Sequence, residues 1–151
     1  MGTTFVTIDG TTGFWMRDRI LELWLRLLAL HIEESPDEDF LGRRIRDQWL
    51  LASKGYFAGH VPHDLELFAS DENGQRIIRN AIESLMHKLK QAPETLDGPT
   101  LDLLGIEDTF RDPFKTCRLI EVGHAFLRLL DGQITDTAAS TEFAPGSRLA
   151  T

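Results

Sequence analysis

The longest block of apolar positions runs from Phe14 to Ser35, FWMRDRILELWLRLLALHIEES. Placed on a helix at about 100° per residue, Asp18, Arg19, Glu22, Arg26 and Glu33 gather on one stripe. Met16, Ile20, Leu21, Leu23, Trp24, Leu25, Leu27, Leu28, Leu30 and Ile32 cover the rest of the cylinder. An apolar arc this wide describes a helix wrapped by neighbours on several sides, so the pattern predicts a central helix over 14–35.

Three further helices follow from the same periodicity. Ser35-Pro36-Asp37-Glu38 combines a capping side chain, a proline at the first helical position and acidic residues at the positive end of the helix dipole. The second helix is expected from Pro36 to Ser53, with Leu41, Ile45, Trp49 and Ala52 as its buried stripe and Gly55 as its stop. A short turn over Asp64–Ala69 precedes a third helix, capped by Ser70 and running from Asp71 to Gln91 before Pro93. Ile78, Ala81, Ile82, Leu85, Met86 and Leu89 line its apolar side. Gly98-Pro99 and Gly105 mark a loop with one helical turn at Leu101–Leu104. Asp112-Pro113 then starts a fourth helix ending at Gly132, with Leu119, Ile120, Val122, Phe126, Leu127, Leu129 and Leu130 inside.

The ends are less regular. Phe5 to Ile8 reads as a short strand before a turn at Asp9-Gly10, and Gln133–Thr135 is the one later segment suited to pair with it. The last residues, rich in Thr, Ala, Ser, Pro and Gly, read as a polar tail. The expected architecture is all-α: one domain over 1–132, a bundle of four main helices around a central hydrophobic one, with short irregular N-terminal and C-terminal segments and a tail over 133–151.

Composition narrows the function. A formal charge of −8, from 24 acidic against 16 basic side chains, is the wrong sign for neutralising phosphates or docking on an anionic bilayer. Neither nucleic acid nor membrane is an expected partner. The same sign suits steered capture of a basic protein. Charges inside 14–35 stop that block from being a membrane span. With a single cysteine, Cys117, no internal disulfide or multi-cysteine zinc motif can form. A lone helical cysteine is expected in the core. With no signal-like start, a cytoplasmic location follows.

Chemistry-bearing residues concentrate in KGYFAGHVPHDLE, Lys54 to Glu66. His60, His63 and Asp64 are candidates for a metal or acid–base site, but Pro62 keeps Val61 out of helical geometry and so keeps the histidines off a shared helical face. The alternative is a structural loop in which Asp64 caps the following turn and both histidines lie at the surface. His31 projects into the apolar arc and is expected either as a core histidine bonded to a carbonyl or the 55–66 loop, or as the lining of an internal pocket beside Trp24. Glu121-Val-Gly-His124 has Glu-x-x-His spacing but lacks the second such pair that a di-iron bundle needs. Asp9-Gly10-Thr11-Thr12-Gly13 resembles neither phosphate-binding glycine pattern. No catalytic residue and no cofactor are assigned.

The acidic residues crowd at helix junctions, with Glu34, Asp37 and Glu38 at one and Asp64 and Glu66 at another. Edged by Tyr56 and Phe57, they suit a protein-binding face with aromatic anchors. The leading expectation is a non-catalytic acidic protein that binds a protein partner, in the manner of a bacterial immunity or antitoxin-like inhibitor. The alternatives are a metal-dependent or acid–base enzyme using His60, His63 and Asp64, and a small-molecule-binding helical regulator.

Overall fold

A computed structural model describes residues 2–32, 39–97 and 114–139. The all-α expectation is corrected: the described residues form a mixed fold, 57% of them helical, with five helices, four of seven residues or more, and two small antiparallel sheets of two strands each. In chain order the elements are β1 (Thr3–Thr7), β2 (Gly13–Arg17), α1 (Asp18–Leu30), α2 (Asp39–Ala52), α3 (Leu65–Phe68), α4 (Glu72–Gln91), β3 (Thr95–Leu96), β4 (Phe114–Lys115) and α5 (Thr116–Leu130).

The main departure is at the N-terminus. Phe14 to Arg17 are a strand, not the first turn of the long helix, because they pair in register with Thr3–Thr7 from Thr3↔Arg17 to Thr7↔Gly13. The alternation is that of a half-buried hairpin: Thr4, Val6, Phe14 and Met16 point inward. Phe5 and Trp15 face each other on the other side, ring centroids 5.3 Å apart. Asp9 organises the connecting turn, its carboxylate accepting from the backbone N–H groups of Thr11 and Thr12 at 2.8 Å each and from the Thr12 hydroxyl at 2.9 Å. These bonds, those from the Thr12 and Thr11 amides foremost, hold its pKa down at about 2.

The chain beyond α5 returns to this hairpin. Gln133–Thr135 does not pair with β1. Instead Gly13 N–H donates to Asp136 O at 2.9 Å, Thr12 and Thr137 form an isolated bridge, and the Trp15 indole donates to Ala138 O at 2.8 Å. The end of α5 is a Schellman motif. Gly132 sits at φ 72°, its N–H donates to Leu129 O, and Gln133 N–H donates to Arg128 O.

α1 is central, with ten of its thirteen residues buried. It packs on α2 and α4, while α4 packs on α5. Ile45, Trp49 and Ala52 of α2, Ile78, Ala81, Ile82 and Leu85 of α4, and Leu119, Val122 and Phe126 of α5 meet it in one core. Trp24 lies fully inside, its ring centroid 5.6 Å from that of Phe126. Gly123 makes this approach possible: a Cβ there would come within 2.7 Å of Met86 Sδ and 3.1 Å of Trp24 Cη2. Cys117, expected in the core, is exposed. The expected helix start at Ser35-Pro36-Asp37-Glu38, the turn at Leu101–Leu104 and the tail from residue 140 lie outside the described residues. The last helix does not start at Asp112-Pro113: Phe114 and Lys115 pair as a strand with Leu96 and Thr95, and α5 begins at Thr116.

α4 starts one residue later than its expected cap. Asp71, rather than Ser70, is the N-cap and accepts from Asn73 N–H at 2.7 Å, while the Ser70 hydroxyl donates to Leu67 O. Gly74 in the first turn is buried, and a Cβ on it would collide with the Phe68 carbonyl oxygen. Helix propensity alone favours alanine over glycine by about 1 kcal/mol. Here backbone must move to admit the methyl, a cost of about 1–3 kcal/mol. Gly74→Ala is therefore expected to lower stability in urea unfolding followed by circular dichroism; an increase would contradict the close approach of α3 and α4.

Candidate functional site

The 54–66 loop is built by spending its polar groups on the fold. Its first anchor is Asp18, which opens α1. One carboxylate oxygen accepts from the Thr4 hydroxyl at 2.7 Å and the other from Gly59 N–H at 2.6 Å, while Asp18 N–H donates to Gly2 O at 3.1 Å. Thr4 Oγ1 in turn accepts from Val61 N–H at 2.9 Å. β1, the start of α1 and the loop are thus joined through one buried carboxylate. Glu22, one turn on, is buried as well. Periodicity put both on an outer charged stripe; the loop, held by Asp18, covers that side.

Pro62 shapes the next step. His63 N–H donates to Val61 O at 2.8 Å, the ring of an inverse γ-turn centred on Pro62, whose fixed φ suits that position. α2 holds the turn from its other side: Gln48 donates to Pro62 O at 3.0 Å and the Trp49 indole to His63 O at 2.8 Å.

His63 is buried, contrary to the surface position expected for it. Its Nδ1 accepts from Leu65 N–H at 3.1 Å, and its Nε2 lies 3.3 Å from Phe5 O. A backbone N–H only donates and a carbonyl only accepts, so the imidazole is the neutral tautomer with its proton on Nε2. His63, not Asp64, satisfies the first free N–H of α3. Asp64 occupies the N-cap position in left-handed geometry, φ 52° and ψ 30°, with no side-chain cap bond, and it is exposed. His60 is exposed too. The two histidines therefore do not present a common pair of free nitrogens. Among the described residues no group of three or more His, Cys, Asp or Glu side chains is placed to hold a metal ion.

His31 lies elsewhere. α1 ends at Leu30, so His31 is its half-buried C-cap rather than part of the core arc, and its Nδ1 is 3.0 Å from Ser84 Oγ of α4. Burial, with the nearby Lys88 charge, lowers its pKa below the usual histidine value. Trp24 lies fully buried in the core, and its indole N–H has no acceptor among the described residues.

Of the expected partner-binding residues, Tyr56 is 67% exposed and Phe57 half-buried, with ring centroids 6.4 Å apart. Glu34, Asp37 and Glu38 lie outside the described residues. Asp18 and Thr4 were not legible as a site. A carboxylate one turn from Glu22 at a helix start looks like a solvated dipole complement, and only the returning loop shows otherwise. Comparison with protein-family models, with curated proteins and with solved structures gave no match.

Two outcomes follow. Asp18→Ala removes the acceptor of the buried Thr4 hydroxyl and of the Gly59 N–H, which is expected to cost about 1–3 kcal/mol in urea unfolding; a loss under ~0.5 kcal/mol would sink the role given to this carboxylate. The second concerns pH. Burial, partly offset by the Phe5 carbonyl and the Asp64 charge, lowers the His63 pKa below its unfolded value. The unfolded chain then binds the proton more readily, so His63's contribution to stability is full above about pH 6.5 and declines as pH falls through 6.5 towards the lowered folded value. An NMR titration should place the His63 ring midpoint below 6.5, and a midpoint above it would contradict the tautomer.

Proposed function

We propose that this is a non-catalytic binding protein whose partner is a basic protein, acting as an immunity or antitoxin-like inhibitor does, by occupying a surface. The observation that carries the proposal is the exposed Tyr56 beside Phe57, at the outer end of a loop whose inner groups are already engaged. Aromatic side chains that are large, exposed and held by a fixed backbone supply contact area at low entropic cost. The net charge of −8 supplies long-range attraction to a basic surface. His63, one of the three candidates His60, His63 and Asp64 for a metal or acid–base site, is committed on both nitrogens to Leu65 and Phe5. This supports a binding role for the loop in place of a reaction centre. Among the described residues no helix is long and apolar enough to cross a membrane.

The test is titration calorimetry against the polypeptide encoded beside this one. Wild type should bind with an affinity that falls as salt rises. Tyr56→Ala should weaken binding about tenfold or more. Charge reversal at Glu34, Asp37 and Glu38 together should slow association and flatten the salt dependence. Unchanged affinity and salt response in both variants would remove the proposed face.

A further inference from the structure

α2 carries a second face that the core does not use. Ile45, Trp49 and Ala52 point inward, while Phe40, Arg44, Asp47 and Leu51 are all exposed, Phe40 at 80%. These four stand at i, i+4, i+7 and i+11. That alternation of four and three is the seam spacing of a coiled coil, and it spans about 16 Å at 1.5 Å per residue. Apolar side chains close both ends of the stripe and opposite charges occupy its middle. The side chains of Arg44 and Asp47 make no hydrogen bond or ion pair with another described residue.

The stripe complements itself in one orientation. Phe40 and Leu51 are equidistant from the point between Ile45 and Arg46, and so are Arg44 and Asp47. When a second α2 is laid antiparallel across that point, Phe40 meets Leu51 of the second copy and Arg44 meets Asp47 of the second copy. By two-fold symmetry each contact occurs twice. A parallel arrangement sets Arg44 against Arg44 and Asp47 against Asp47, which like-charge repulsion disfavours. We infer that the outer stripe of α2 is a self-association surface, and that its occupant is the α2 stripe of a second copy of this chain, packed antiparallel. The contact is short beside a standard interface, so the dimer is weak and concentration-dependent. The inference rests on the α2 stripe and does not depend on the function proposed above.

Sedimentation velocity of the full chain from about 5 to 500 µM, where weak dimers of micromolar affinity are populated, tests the inference. Wild type should shift from monomer to dimer, and a monomer throughout overturns the proposal. Arg44→Glu and Asp47→Arg each place like charges across the seam and should each weaken the dimer about tenfold or more. The double variant Arg44→Glu/Asp47→Arg restores opposite charges with exchanged positions and should recover most of the wild-type affinity. A dimer unaffected by either single change, or a double variant no better than the singles, overturns the antiparallel register. Phe40→Ala alters a side chain outside the core and should also weaken the dimer while leaving the thermal midpoint of the dilute monomer unchanged. A dimer insensitive to Phe40→Ala overturns the seam.

Discussion

The Asp18 carboxylate, buried at the start of α1, is the constraint on which the N-terminal half depends. A charge taken out of water is costly unless hydrogen bonds replace its hydration. The donors here come from two segments remote in sequence, Thr4 of the hairpin and Gly59 of the loop. Meeting that requirement brings β1, α1 and the loop together at one place. It also sets the residues nearby: a Cβ on Gly2 would collide with the Asp18 carboxylate and the Gly59 amide. The hairpin is thereby a structural part of the domain, joined to the loop on one edge and to residues 136–138 on the other. Both strands thus have cover at an edge that otherwise invites pairing with another chain.

From that clasp the character of the loop follows. Gly59, Val61, Pro62 and His63 each give a backbone group to a partner in β1, α1 or α2. His63 gives its ring as well. A loop tied down at this many points has a fixed shape, and the side chains it leaves at the surface include Lys54, Tyr56, His60, Asp64 and Glu66. Rigid display of a few side chains suits recognition, since little entropy is lost when a partner orders them further. α2 behaves similarly. Its inner stripe locks it to α1 and α4, which leaves the outer stripe in a defined orientation.

Much of the helical frame was legible in the sequence because it is a local matter. Apolar spacing marked α2, α4 and α5 to within a few residues, since each has one buried stripe and one solvated face. Gly132 marked the end of α5 because only the left-handed conformation there completes the terminal hydrogen bonds. The candidate loop was located by its composition, but its roles were exchanged: His63 serves the N–H group assigned to Asp64, and Asp64 stays in solvent. His31 was misplaced because its projection assumed a helix running past Leu30.

What the sequence by itself determined was the presence of a greasy central rod, the periodic stripes that enclose it and the acidic balance of the chain. Those follow from short-range geometry and from composition. Tertiary structure alone decided that Phe14–Arg17 pair as a strand, because four apolar-rich residues fit either period until Thr3–Thr7 lie beside them. It also decided that Asp18 and Glu22 are inside. Whether a charged stripe faces water depends on what folds over it, and the covering segment here comes from about forty residues further along the chain.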